Sequence, residues 1–205
     1  MKSFRKNLFG IINTVVTRKP VSDTPVQSTQ PPDVQLVDPE RDLEDFFRVV
    51  EVSDGEFFAG PLFKRRFACD SFPETPMHFV ALYQDSSGAV LTLGYVHFEL
   101  WQQQAMGGGM VIDERAWKLL PATERKLIRQ KGGVAEMMLR GAIDLLPDDL
   151  IGIWGYVGDS LARKVDVRVG FQPTEAEHVM VIWRNEPCED EKDAWIRRVV
   201  DYGPF

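Results

Sequence analysis

QKGGVAEMMLRGAIDLLPDDLIGIWGYV, residues 130–157, decides how the rest of the chain is read. Gly132 and Gly133 stand immediately before Val134 to Leu146, a run with helical spacing of its apolar residues that ends before Pro147. After it, LIGIWGYV (150–157) is a nearly continuous apolar run of the kind that sits in a sheet interior. Glycines at a helix entry let backbone N–H groups and the positive end of the helix dipole face a phosphate. The stretch therefore predicts a loop, a helix and a buried strand, with the chemistry-bearing residues Gln130, Lys131, Gly132, Gly133, Val134 and Ala135 at the helix entry.

Working outward, HFVALYQ (78–84) and AVLTLGYVHFELW (89–101) are β-rich runs joined by DSSG, which suits a tight hairpin turn. MVID (110–113) and EHVMVIW (177–183) read as further strands, and AWKLL (116–120) and ATERKLIRQ (122–130) as helices. Asp42 to Val50 predicts a helix with Leu43, Phe46, Phe47 and Val50 on one face, and Phe57 to Phe67 predicts another. The three glycines within Met106 to Met110 read as a bulge or turn entering a strand, or as a loop over a site. Trp101 and Trp117 flank them, as core residues or as the lining of a pocket. Glu186 to Asp193 reads as a solvated acidic segment before a short helix, Ala194 to Val200. Helices first, then a meander, then strands alternating with helices predict an α/β (α+β) domain around one central sheet.

The 205 residues, 44% hydrophobic and 27% charged, have the profile of a soluble globular domain that folds without disulfides or a structural metal. Cys69 and Cys188 lie outside any CxxC spacing, which excludes a disulfide framework or zinc finger and makes a reducing cytoplasm the expected compartment. His78, His97 and His178 show no metal-ligand spacing, and there is no GxSxG elbow and no GxxxxGK[ST] loop. No metal is expected. The net charge of −7 argues against a nucleic-acid partner, because neutralising phosphates needs a positive face.

That charge is segregated: residues 1–19 carry five cations, Lys2, Arg5, Lys6, Arg18 and Lys19, and no acid. Phe4, Leu8, Ile11, Ile12 and Val15 give residues 3–17 one apolar stripe, far too short a stretch to span a bilayer. Two readings stand for it: a helix contacting a membrane surface, here the inner one, or a protein partner, and a frayed terminal helix. Residues 20–33, rich in Pro, Ser, Thr and Gln, read as a flexible linker, and residues 34–205 as the folded domain.

At QKGGVA the sequence resembles a known family. It fits Gln/Arg-x-x-Gly-x-Gly/Ala, the pattern by which the GNAT superfamily of acyl-CoA-dependent N-acyltransferases binds the pyrophosphate of coenzyme A. After the apolar strand that family often reads Asn-x-x-Ala-x-x-x-Tyr-x-x-x-Gly-Phe, and Asp159, Ala162, Asp166, Gly170 and Phe171 stand here at the same spacing. The resemblance covers residues 35–185, with its motifs between Gln130 and Phe171. The residues from Glu114 to Arg129, between the preceding strand and the loop, look like an inserted helix. Such an elaboration resembles the branch of acyl-homoserine-lactone and N-acyl amino acid synthases.

The resemblance implies a central mixed, mostly antiparallel sheet flanked by helices, and transfer of an acetyl or longer acyl group from acetyl-CoA or another acyl-CoA to an amine. The acceptor would be a small molecule or a protein. Backbone N–H groups of Gly132 to Ala135 would hold the pyrophosphate, with Arg129 and Lys131 as flanking charges. Val111, Ile112 and Asp113 would offer main-chain partners to pantetheine. His97, Glu99, Asp113 and Glu114 are candidates for the base. The position where the family often has its tyrosine acid is Asp166, so Tyr156 is a second candidate proton donor. That replacement also admits a non-catalytic module of the same fold, and the basic segment admits a peripheral membrane protein.

Overall fold

The computed structural model describes residues 41–68, 71–74, 77–203 and 205. The basic segment 1–19, the linker 20–33, the expected domain start at residue 34 and Cys69 lie outside the described residues. The first elements are α1 (Leu43–Phe46), β1 (Phe47–Val52), α2 (Gly55–Phe67), β2 (Met77–Gln84) and β3 (Val90–Trp101). Next come β4 (Gln104–Gly107), β5 (Val111–Ile112), α3 (Glu114–Leu119), α4 (Ala122–Gln130) and α5 (Val134–Leu145). The chain closes with β6 (Gly152–Tyr156), α6 (Ser160–Val169), β7 (Gln172–Pro173), β8 (Val179–Trp183) and α7 (Glu189–Tyr202).

The strands form one sheet in the order β1-β2-β3-β4-β6-β8-β7, with β5 also on β3. Every pairing among the described residues is antiparallel except β4 with β6. A mixed, mostly antiparallel sheet flanked by helices is the fold class that the resemblance implies.

Two elements differ from their local periodicity. The helix expected over Asp42–Val50 is one turn long, closed by the Asp45 carboxylate accepting from the Asp42 amide at 3.1 Å. The chain then extends and pairs with β2 from Phe47 opposite Tyr83 to Val52 opposite His78. A full ladder and the β-branched Val49, Val50 and Val52 outweigh the helical spacing. The acidic run before the last helix is part of that helix: Glu189, Asp190 and Glu191 fill the first turn of α7, where the dipole favours negative charge.

One face of the sheet packs on α5, whose Met138, Leu139 and Ala142 meet Leu93, Val96 and Phe98 of β3 and Ile153 of β6. Each large side chain buried this way contributes about 1.5 to 3 kcal/mol. The other face is shared: Ala59, Leu62 and Phe63 of α2 cover Val80 and Tyr95, while Ile196 and Val199 of α7 cover Met106, Trp154 and Val181.

The functional geometry begins between β4 and β5. Phe98 pairs with Gly107 and Tyr95 with Val111, so three residues, Gly108 to Met110, stand opposite two, Val96 and His97. This is a β-bulge, one of the two readings of the glycine run. Close approach demands glycine here: a Cβ on Gly108 would collide with the His97 imidazole, and one on Gly109 would lie 2.9 Å from Phe67. After the bulge β5 stays on β3, while β6 stays on β8 and the amide of Val157, just past its end, donates to the His178 carbonyl. The sheet parts between them.

Candidate functional site

Where β4 and β6 part there is a cavity of about 350 Å³, bounded by the glycine bulge, the end of α2, β6 and α6. Arg66 and Phe67 stand on the α2 side, and Leu139, Asp166 and Phe171 on the α5–α6 side, so the cavity reaches through the sheet. A second, open groove of about 860 Å³ runs past Val111, Ile112 and Asp113, Ala135 at the start of α5, and Ser160 at the start of α6. Arg66, Met110, Asp159 and Ala162 line both, so groove and cavity are continuous.

β5 gives the groove its wall. One edge of the strand is paired with β3, and its other edge carries no strand among the described residues, because β6 has turned away. Free main-chain groups on such an edge suit an extended ligand with amides of its own. The Asp113 carboxylate is engaged otherwise: it accepts from the Arg115 amide at 2.9 Å, capping α3, and pairs with Arg65 at 3.0 Å. Glu114 is the first residue of α3 and lines the groove.

The loop before α5 takes positive φ at Gly132 and Gly133, 100° and 90°. Both amides turn back onto α4, Gly132 to the Arg129 carbonyl at 3.1 Å and Gly133 to the Ile128 carbonyl at 3.0 Å. The donors facing outward are therefore those of the first turn of α5, starting at Val134 and Ala135, which no side chain caps. Ala135 lines the groove; Arg129 is held over the Trp117 ring, 5.4 Å from its centroid. Gln130 and Lys131 are exposed beside it. Glu136 packs its carboxylate against Gly132 and is shared by Arg140 at 3.0 Å and Arg168 at 2.9 Å, so the start of α5 keeps a positive balance.

The candidate catalytic residues separate into two groups. Tyr156 and Asp166 both line the cavity. Asp166 is only 7% exposed, and burial first, then the neighbouring Asp159, push its carboxyl up to about 6. Asp159 caps α6, accepting from the amides of Leu161 and Ala162 at 2.8 and 2.9 Å. Ala162 sits at the junction with the groove, and Asp166 lies one helical turn, about 5.4 Å, further along. Tyr156 stands at the mouth, its ring against His178 and Phe205.

His97 and Glu99 do not line the cavity. Glu99 accepts a hydrogen bond from Tyr202 on α7. His97 is buried under Gly108, stacked on Tyr95, with no partner for Nδ1 among the described residues. Burial and the adjacent His78 push its imidazole down to about 4. His78 in turn shares a 2.8 Å hydrogen bond between Nδ1 and the Tyr95 hydroxyl.

Sequence reasoning did not name Arg66, Phe67 or Gly155 as parts of a site. Lys64, Arg65 and Arg66 at the end of α2 form a basic run that could have drawn attention to the first. Among the described residues no cluster of His, Cys, Asp and Glu could hold a metal.

No family model matches the sequence, and no curated protein matches it. Solved structures do. The crystal structure of a KacTA–DNA complex is similar at 11% identity and a TM-score of 0.38, over 74% of this chain and 99% of that one. AtaTR bound with AcCoA follows at 13% identity and a TM-score of 0.37, over 68% and 94%. AtaT complexed with acetyl-methionyl-tRNAfMet is similar at 12% and 0.36, over 73% and 99%.

Proposed function

We propose that this chain is an acyl-CoA-dependent N-acyltransferase, moving an acyl group from coenzyme A to an amine. The observation that carries the reading is the continuity of groove and cavity at the point where the sheet parts. The groove offers the free edge of β5 to pantetheine and the uncapped start of α5 to the pyrophosphate. The thioester then falls at the junction formed by Met110, Asp159 and Ala162, next to Asp166.

The chemistry needs one proton moved. The amine nitrogen attacks the thioester carbonyl, the C–S bond breaks, and amide and thiol are the products. Asp166 is suited to carry the proton: ionised, it accepts from the acidic nitrogen of the tetrahedral intermediate, and then returns the proton to the leaving thiolate. A carboxyl at about 6 lies close enough to neutrality to do both. Tyr156 at the mouth orients the incoming amine. His97 supports the bulge from below.

The expected setting is the cytoplasm, with residues 3–17 as a contact to a membrane surface or a protein. A small-molecule or protein amine is the expected acceptor. Release of free thiol from acetyl-CoA in the presence of an amine panel, with the full chain and with Asp166→Asn, tests the reaction. Amine-dependent thiol release lost in Asp166→Asn supports it. Thiol release untouched by the substitution removes Asp166 from the mechanism, and CoA binding without turnover favours the non-catalytic module that the aspartate also admits.

A further inference from the structure

The cavity is larger than an acetyl group requires. It holds about 350 Å³, whereas three heavy atoms at roughly the share of one water each fill about 90 Å³. Its inner wall, on the α5–α6 face, is apolar and buried: Val96, Phe98, Leu139, Val157 and Phe171. Asp166 is the acidic side chain on that wall, one turn in from the junction.

Gly155 lies on the same wall, and no local constraint demands a glycine there. A Cβ at 155 would meet Phe171 at 3.5 Å and Val157 at 3.7 Å, ordinary contact distances, and its φ is not positive. Its partner across the ladder is different: a Cβ on Gly107 would lie 2.9 Å from the Trp154 carbonyl oxygen. Strand interiors favour β-branched and aromatic residues, and glycine weakens them. What glycine provides at 155 is volume, at the place where the two strands part.

We infer that the acyl donor carries an apolar chain longer than acetyl, of about four to eight carbons, on the basis of roughly 30 Å³ per heavy atom and a mouth shared with the acceptor. The chain passes between β4 and β6, over Gly155, and lies against Leu139 and Phe171. Gly155 sets its length. This rests on the acyl-CoA reading above.

The test is calorimetric titration of the full chain with CoA, acetyl-CoA, butyryl-CoA, hexanoyl-CoA and octanoyl-CoA, repeated with Gly155→Val. In the parent, the dissociation constant falls about fourfold for each methylene added beyond acetyl until the cavity is full. Gly155→Val flattens that series, while affinity for CoA itself, which the groove provides, stays within about twofold. Gly155→Ala, which adds a single methyl at ordinary contacts, removes part of the gain and serves if the valine variant does not fold. A parent that binds CoA but holds acetyl and hexanoyl thioesters equally overturns the chain-length inference alone. A length series unchanged in both variants overturns the role of Gly155. No binding of CoA or any thioester overturns the acyl-CoA reading, and this inference with it.

Discussion

Gly107 stands opposite Gly155 on the last rung of the parallel ladder between β4 and β6, at the point where the two strands separate. Beyond that rung no ladder among the described residues joins β4 or β5 to β6, and the bulge at Gly108 to Met110 keeps the gap open by holding the following strand on β3. The cleft is thus a product of glycine placement and register.

The glycines of this region differ in what they tolerate. Gly108→Ala drives a Cβ into the His97 imidazole and is expected to destabilise the fold by about 1 to 3 kcal/mol. Gly155→Ala makes only ordinary contacts at a φ that alanine adopts and is expected to leave stability unchanged or raise it by up to about 1 kcal/mol. Urea denaturation of the two variants checks this, and equal losses would show that the bulge is not sterically fixed.

Asp166 makes stability depend on pH with a defined sign. Its native carboxyl is raised to about 6 from an ordinary 3.8, so between about pH 4 and 6 the native state holds a proton that the unfolded chain has lost. Stability therefore falls as pH rises through that window. Asp166→Asn should be more stable than the parent by about 1 to 3 kcal/mol at pH 7 and equal to it below about pH 4. The same substitution should lower turnover by a hundredfold or more, roughly the worth of a positioned proton carrier. Denaturation curves at the two pH values decide; a variant less stable at pH 7 contradicts the assignment.

His97 pulls the other way. Its imidazole is depressed to about 4, so the unfolded chain takes up a proton between about pH 6.5 and 4 that the native state refuses, and stability is lost as pH falls through that range. Nuclear magnetic resonance of the ring protons should show His97 neutral at pH 6, with a midpoint well below the ordinary 6.5. A midpoint at or above 6.5 would mean that the ring is hydrated, not roofed by Gly108.

How far the sequence could be read depends on where each signal resides. The hairpin between β2 and β3 was legible because DSSG advertises a turn, which Gly88 closes with a φ of 88°. The next hairpin was not: Gln102 and Gln103 take φ of 50° and 61°, values usually supplied by Asn-Gly, and they are held there by the pairing of Trp101 with Gln104, by Arg198 donating to the Gln102 side chain and by the Ile151 amide donating to the Gln103 carbonyl. So β4 escaped notice, and with it the parallel join to β6. The entry to α5 was legible from its two glycines, but not that their own amides turn back onto α4, leaving the donors one residue later. Asp166 was reached through the family resemblance and Tyr156 as the alternative donor to it, and both line the cavity; Arg66 and Phe67 reach the cavity from α2 by tertiary packing, which leaves no local trace.

The central claim is tested most directly by calorimetric titration of CoA into the full chain and into Gly133→Glu, with Gly133→Ala as the control for backbone strain. A Cβ at Gly133 meets nothing within 4 Å, so the glutamate adds negative charge beside the α5 start without a steric clash, and the alanine shares its backbone cost, about 1 to 3 kcal/mol at φ 90° and ψ 169°. The account predicts saturable one-to-one binding by the parent and by Gly133→Ala, lost in a folded Gly133→Glu through like-charge repulsion. Absence of binding by the parent, or equal affinity in all three, would contradict it.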